Sequence, residues 1–109
     1  MTKDDIYCFS YTSGTTGVPK GAMISHKNFT YILKDIQEIV EIDENGSYLS
    51  YLPMAHILER ICYLCTTSLR AIIYISSGNI RQLGEDLKLS KPMVFISVPR
   101  LFNKFYDIM

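Results

Sequence analysis

No apolar run in this chain approaches the ~18 residues that a membrane-crossing helix needs. The opening Met1–Asp5 is polar, so a secretory leader is not expected either. An excess of charge is missing as well: eleven Lys and Arg balance eleven Asp and Glu. A nucleic-acid backbone asks for a basic patch, so nucleic acid is not an expected partner. Cysteine is scarce and odd in number, with Cys8, Cys62 and Cys65 only. Cys62 and Cys65 have C-x-x-C spacing, but no second Cys pair or His pair completes a zinc site. They sit among Ile61, Tyr63 and Leu64 in a helical pattern, which predicts buried free thiols in a reducing compartment. Internal repeats, linkers and low-complexity tracts are also absent.

What is present suffices for a core. The chain has 109 residues, 48% of them hydrophobic, about the size of one small domain. Ile6–Ser10 is a short β-branched and aromatic run that predicts a buried strand, and Met23–Ile24 a brief extended piece. From Ser25 to Ile42 the apolar residues Phe29, Ile32, Leu33, Ile36, Ile39 and Val40 fall on one helical face, with Ser25 suited to cap the first turn. Tyr48–Leu52 predicts a strand, residues 54–69 a helix with Ile57, Ile61, Leu64, Cys65 and Leu69 inward, and Ala71–Ser76 a strand. Ile80, Leu83 and Leu87 mark a short helix broken near Lys91-Pro92. Residues 93–99 read as a further strand, and Pro99 suits the first turn of a last helix. Strand and helix alternate, which predicts an α/β fold: a mostly parallel sheet built from βαβ units with helices on both faces. The last periodic pattern stops at Met109, so the chain reads as a piece of a longer domain.

The stretch YTSGTTGVPKG, Tyr11 to Gly21, has the composition of an anion cradle. Gly14, Gly17 and Gly21 let the backbone bend and approach a ligand. Successive N–H groups in such a bend form a concavity for anions. Thr12, Ser13, Thr15 and Thr16 add hydroxyl donors, and Lys20 adds a mobile positive charge. The string is neither G-x-x-x-x-G-K-[ST] nor G-x-G-x-x-G, and composition alone is equally compatible with a polar connecting loop.

Taken as a string, YTSGTTGVPKGAMISH, Tyr11 to His26, resembles the phosphate-loop signature of the AMP-forming acyl-activating enzymes. YLPMAHILER, Tyr51 to Arg60, resembles the second motif of that superfamily in its long-chain fatty acid–CoA ligase branch, and VPRLFNKFYDIM resembles a following stretch of the same branch. The resemblance implies that residues 1–109 are part of a large N-terminal AMP-binding domain, lacking the C-terminal domain. It implies a parent enzyme that uses ATP, Mg²⁺ and CoA to activate a fatty acid, with small-molecule substrates as its partners and the rest of the parent chain needed to complete the site. By the same resemblance, Thr12, Ser13, Gly14, Thr15, Thr16, Gly17 and Lys20 would hold the β- and γ-phosphates, and Thr12 matches a position associated with Mg²⁺. His56 matches a histidine bordering the adenylate and the acyl carboxylate, and is the candidate catalytic residue. Glu59 and Arg60 can share its helical face or form a mutual surface pair, and Arg60 stands where some relatives carry an aromatic gate to the acyl tunnel. His26 reads as a residue of a helix N-terminus. The isolated piece is expected to be inactive, and its location intracellular, either cytoplasmic or peripheral on an organelle membrane. The alternatives are a non-catalytic nucleotide-binding module and a flavodoxin-like interaction domain without a ligand.

Overall fold

Two short runs, Ile6–Thr12 (β1) and Lys20–Ser25 (β2), pair antiparallel, from Ile6 opposite Ser25 to Thr12 opposite Lys20. The structure, a computed structural model, describes residues 1–12, 17–39 and 44–106, the last three by backbone alone. After the hairpin come the helix His26–Ile39 (α1), the strand Ser47–Ser50 (β3) and the helix Ile57–Ser68 (α2). The strand Ile72–Ile75 (β4) and the helices Leu83–Ser90 (α3) and Pro99–Tyr106 (α4) complete the order.

The α/β class is as expected, with two corrections to the order. The extended piece expected at Met23–Ile24 is a six-residue strand, β2, so the chain turns back after β1 and pairs antiparallel before α1 begins. The physical reason is length. A parallel crossover needs a dozen or more residues, whereas few lie between Thr12 and Lys20, and they carry turn chemistry. One close approach shows why a glycine stands in β2: a Cβ on Gly21 would lie 3.2 Å from the Tyr11 ring across the ladder.

Parallel pairing begins at β3. It pairs with β4 from Ser47 opposite Ile72 to Ser50 opposite Ile75, and α2 forms the crossover between them. On its other edge β3 meets Val94 through one parallel bridge, in which the Val94 N–H donates to the Ser47 carbonyl at 2.9 Å. The strand expected over 93–99 is thus reduced to that bridge. It is bounded by Pro92, which has no N–H for a ladder, and by α4, which begins at Pro99.

Alternation along β3 sends its side chains to two helical layers. Leu49 is almost wholly buried against Leu83 of α3 and Leu101 of α4, with Tyr51, Phe95 and Val98 around them. Tyr48 points the other way, into the layer formed by Ile36, Cys62, Cys65, Thr66, Val94 and Ile96. A sheet with helices on both faces would bury its strands on both sides, which holds for β3 but not for β1 or β4, where Phe9, Ile72 and Ile75 are exposed. The radius of gyration, 15.6 Å, exceeds the ~13 Å of a compact domain this long, because the chain is a slab 22 Å thick.

Helix ends follow local chemistry. The Ser25 hydroxyl accepts from the Asn28 N–H at 3.2 Å while the Asn28 side-chain oxygen accepts from the Ser25 N–H at 3.1 Å, a reciprocal cap at the start of α1. Of the expected apolar face of α1, Phe29 is buried, Leu33 and Ile36 are half-buried, and Ile32 and Ile39 are exposed; Val40 lies outside the described residues. Cys62 and Cys65 are free and buried, as expected. The buried stripe of α2 also takes in Glu59 and Thr66. Thr66 tolerates burial because its hydroxyl donates to the Cys62 carbonyl at 2.8 Å.

Candidate active site

Two loops carry the candidate residues. The first closes the β1–β2 hairpin. Thr12 is the last residue of β1 and Lys20 the first of β2, and the ladder sets them opposite one another at the mouth of the loop. Both are exposed. A hydroxyl and an ammonium group at the two ends of one turn can meet one anion from both sides. Gly17 has φ +78°, a left-handed conformation that disfavours any residue with a Cβ, although a Cβ there would meet nothing within 4 Å. Gly17 is therefore required by the backbone, not by crowding. Ser13, Gly14, Thr15 and Thr16 lie outside the described residues.

The second loop leaves the carboxyl end of β3, where ligands bind in parallel α/β sheets. It carries His56, which is the N-cap of α2 with extended backbone at φ −77° and ψ 127°. The ring Nδ1 accepts from the Leu58 N–H at 3.3 Å. A nitrogen that accepts carries no proton, so this bond assigns the neutral ring its proton on Nε2, free to donate outward. The His56 N–H donates to the Pro53 carbonyl at 2.8 Å. Arg60 folds back, its Nε and Nη2 donating to the Met54 carbonyl at 3.3 and 3.1 Å. Among the described residues, no hydrogen bond joins His56 to Thr12, Gly17 or Lys20. Beside the loop lies an open groove of about 360 Å³ lined by Tyr51, Leu52, Ile80, Val98, Arg100 and Leu101.

Glu59 and Arg60 do not form a surface pair. Glu59 is wholly buried, accepting from the Tyr48 hydroxyl at 2.8 Å and from the Ser50 hydroxyl. Both donors are on β3, two residues apart and hence on one face. Their part was missed in the sequence. The available signal was a period-two pair of hydroxyl residues in an apolar strand, followed by an acidic residue in the first turn of the next helix.

This cluster has a pH signature. Burial, then the hydrogen bond to Glu59, pushes the Tyr48 hydroxyl far above its ordinary 10.0. Burial, then the Glu59 charge, pushes the Cys62 thiol from 9.0 up to about 11. Both protons are held more tightly in the folded chain than in the unfolded one. The stabilisation is complete below the ordinary thiol and phenol values, and declines as pH rises from about 9 towards the raised folded values. Urea midpoints measured from pH 7 to 10.5 should fall at the alkaline end, and Tyr48→Phe should flatten that fall. An equal slope in wild type and Tyr48→Phe would dissociate Tyr48 from it.

A model of the AMP-binding enzyme family matches residues 1–109, the whole chain. The chain belongs to the AMP-binding enzymes. This AMP-binding chain is 42% identical over 103 residues to "Fatty acyl-CoA synthetase B" of Dictyostelium discoideum, covering 94% of the chain and 15% of that protein. It is 41% identical over 108 residues to "Long-chain-fatty-acid--CoA ligase 5" of Mus musculus, covering 95% and 16%. It therefore spans about a sixth of the length of the curated relatives it matches. Among solved structures, ATP-bound MatB from Rhodopseudomonas palustris superposes with a TM-score of 0.80 at 25% identity, over 95% of the AMP-binding chain and 21% of that chain. The o-succinylbenzoate CoA synthetase MenE of Bacillus subtilis superposes with a TM-score of 0.82 over the whole chain and 29% of its own, at 19% identity, a likeness of fold alone. Among the described residues, no helix is long and apolar enough to cross a membrane.

Proposed function

We propose that this chain is the part of a long-chain fatty acid–CoA ligase that holds the phosphates of ATP and borders the reacting carboxyl group. The observation that carries the reading is the pairing of Thr12 with Lys20 at the mouth of a glycine-bearing turn, in a chain of the AMP-binding enzymes. The curated relatives named above support the fatty acyl class of substrate.

The reaction has two displacements. A fatty acid carboxylate oxygen attacks the α-phosphorus of ATP, and pyrophosphate leaves. The CoA sulfur then attacks the acyl carbon, and AMP leaves. A carboxylate is a poor acyl donor because its leaving group would be oxide; adenylation replaces that with a phosphate monoester. Negative charge gathers on the departing pyrophosphate, where the Lys20 ammonium and the Thr12 hydroxyl offset it without reorganising. His56 donates Nε2–H to an oxygen of the acyl carboxylate or the adenylate, orienting it.

For Mg²⁺, Thr12 offers one hard hydroxyl oxygen, and the described residues contain no cluster of three His, Cys, Asp or Glu side chains. That donor set fits a shared site in which phosphate oxygens complete the shell. Mg²⁺ bound there would supply further positive charge to the phosphates.

The deciding experiment is fatty-acid-dependent release of AMP and pyrophosphate from ATP by the whole protein, with acyl-CoA as the final product. Absence of release across C8 to C20 acids would end the ligase reading. The isolated 109 residues are expected to give no turnover under the same conditions, because they span so small a share of the relatives. Palmitate-dependent pyrophosphate release by the isolated chain, abolished by Lys20→Ala, would show that this piece is sufficient.

A further inference from the structure

The loop that presents His56 is closed at its base by a buried carboxylate. Ser50 ends β3 and Glu59 stands in the first turn of α2, so the bond between their side chains joins the two ends of the segment 51–58. A second bond, from the Tyr48 hydroxyl at 2.8 Å, fixes the other carboxylate oxygen. A glutamate three residues after an N-cap often turns back to cap the helix itself. Here the His56 N–H is already given to Pro53, and the carboxylate is turned inward to β3. Each oxygen of Glu59 thus has a hydroxyl donor, and the residue is wholly buried. Arg60, just beyond the closed segment, holds the Met54 carbonyl inside it, and within the segment the Leu58 N–H holds the His56 ring. The ring is thus tied to a first helical turn that is itself tied to the strand.

We infer that Glu59 is a positioning residue: its carboxylate, clamped by Tyr48 and Ser50, sets the position of the His56 ring. This rests on the ligase reading for its kinetic consequence, though not for its structural one. Glu59→Gln keeps the shape of the side chain but replaces one accepting oxygen with an NH₂ group, so one of the two hydroxyls faces a donor in place of an acceptor. Ser50→Ala removes a single contact and leaves the carboxylate in place.

The test uses the whole protein with Glu59→Gln, Ser50→Ala, His56→Ala and the double variant Glu59→Gln/His56→Ala. Glu59→Gln should lower kcat by ~10- to 100-fold while KM for ATP shifts by less than ~3-fold, the mark of a misplaced reacting group. In the His56→Ala background the same substitution should cost less than ~2-fold more, because residues acting through one another are not additive. A readout independent of activity accompanies this: the rate at which diethyl pyrocarbonate acylates His56, followed by peptide mass spectrometry with His26 as the internal reference. Loosening the first turn frees Nδ1, so His56 should react at least ~3-fold faster in Glu59→Gln and faster in Ser50→Ala, with His26 unchanged. If Glu59→Gln does not fold, Ser50→Ala decides. Additive kinetic losses, or an unchanged His56 rate in a folded variant, overturn the inference. A wild type that releases no AMP defeats the ligase reading alone, and the acylation rates then decide the clamp by themselves.

Discussion

Replacing Lys20 by Ala in the whole protein is expected to lower kcat/KM for ATP by ~10- to 100-fold, the cost of one charge-assisted contact to phosphate. The fatty acid KM should change little, since the acyl chain meets other parts of the site. The geometric ground is the hairpin register: Lys20 opens β2 opposite Thr12, so the ammonium group is delivered to the mouth of the turn by a paired strand and not by a free loop. Lys20→Arg should restore part of the loss, because charge is kept while the compact point charge is replaced by a planar fork. A loop that merely connects β1 to β2 predicts something else. The exposed Lys20 side chain would then be dispensable, and its loss would move stability by no more than ~0.5 kcal/mol with ATP kinetics intact. Steady-state kinetics varying ATP and fatty acid in turn, together with the melting temperature, separate the two. Unaltered kcat/KM for ATP in a folded Lys20→Ala protein would remove the phosphate role.

Much of the architecture was legible because several signals agreed. Ser25 before a 3.6-residue apolar period, and Pro99 at a helix start, each place an element boundary within a residue or so of the observed one. What was not legible is instructive in physical terms. β2 was seen only as a two-residue extended piece, because its pairing partner lies across a turn and the pairing energy is not local. The strand expected at 93–99 has the right composition but forms one bridge, bounded by Pro92, which has no N–H for a ladder, and by the start of α4 at Pro99. From its helical spacing Glu59 could share the face of His56 or pair with Arg60 at the surface, and neither reading placed it in the core. Its burial depends on two hydroxyls supplied by β3, and composition does not reveal such a partnership. The candidate site divides similarly: the composition from Tyr11 to Gly21 suits an anion cradle and a plain connecting loop alike, whereas the bonds of His56 to Leu58 and Pro53, and of Glu59 to Tyr48 and Ser50, became visible only with the fold.

The same distinction between a locally attractive strand and a globally buried one governs stability. Leu49→Ala is expected to destabilise the protein by ~2–5 kcal/mol, the usual cost of emptying a well-packed leucine site. Leu49 is 1% exposed and lies where β3, α3 and α4 meet, packed with Leu83 and Leu101. Collapse of the cavity would have to draw in a strand held by β4 on one edge and the Val94 bridge on the other, so relaxation is limited and the upper half of that range is favoured. Phe9→Ala removes a larger side chain, yet Phe9 is 54% exposed on β1, and its loss should cost well under ~1 kcal/mol in the isolated chain. Side-chain size alone ranks the two in the opposite order, so the comparison tests whether the core lies in the parallel layer or in the hairpin. Urea unfolding of both variants beside wild type measures it. Equal losses, or a greater loss for Phe9→Ala, would move the core to the hairpin and remove the basis for treating β3 as the rigid platform on which the His56 loop is built.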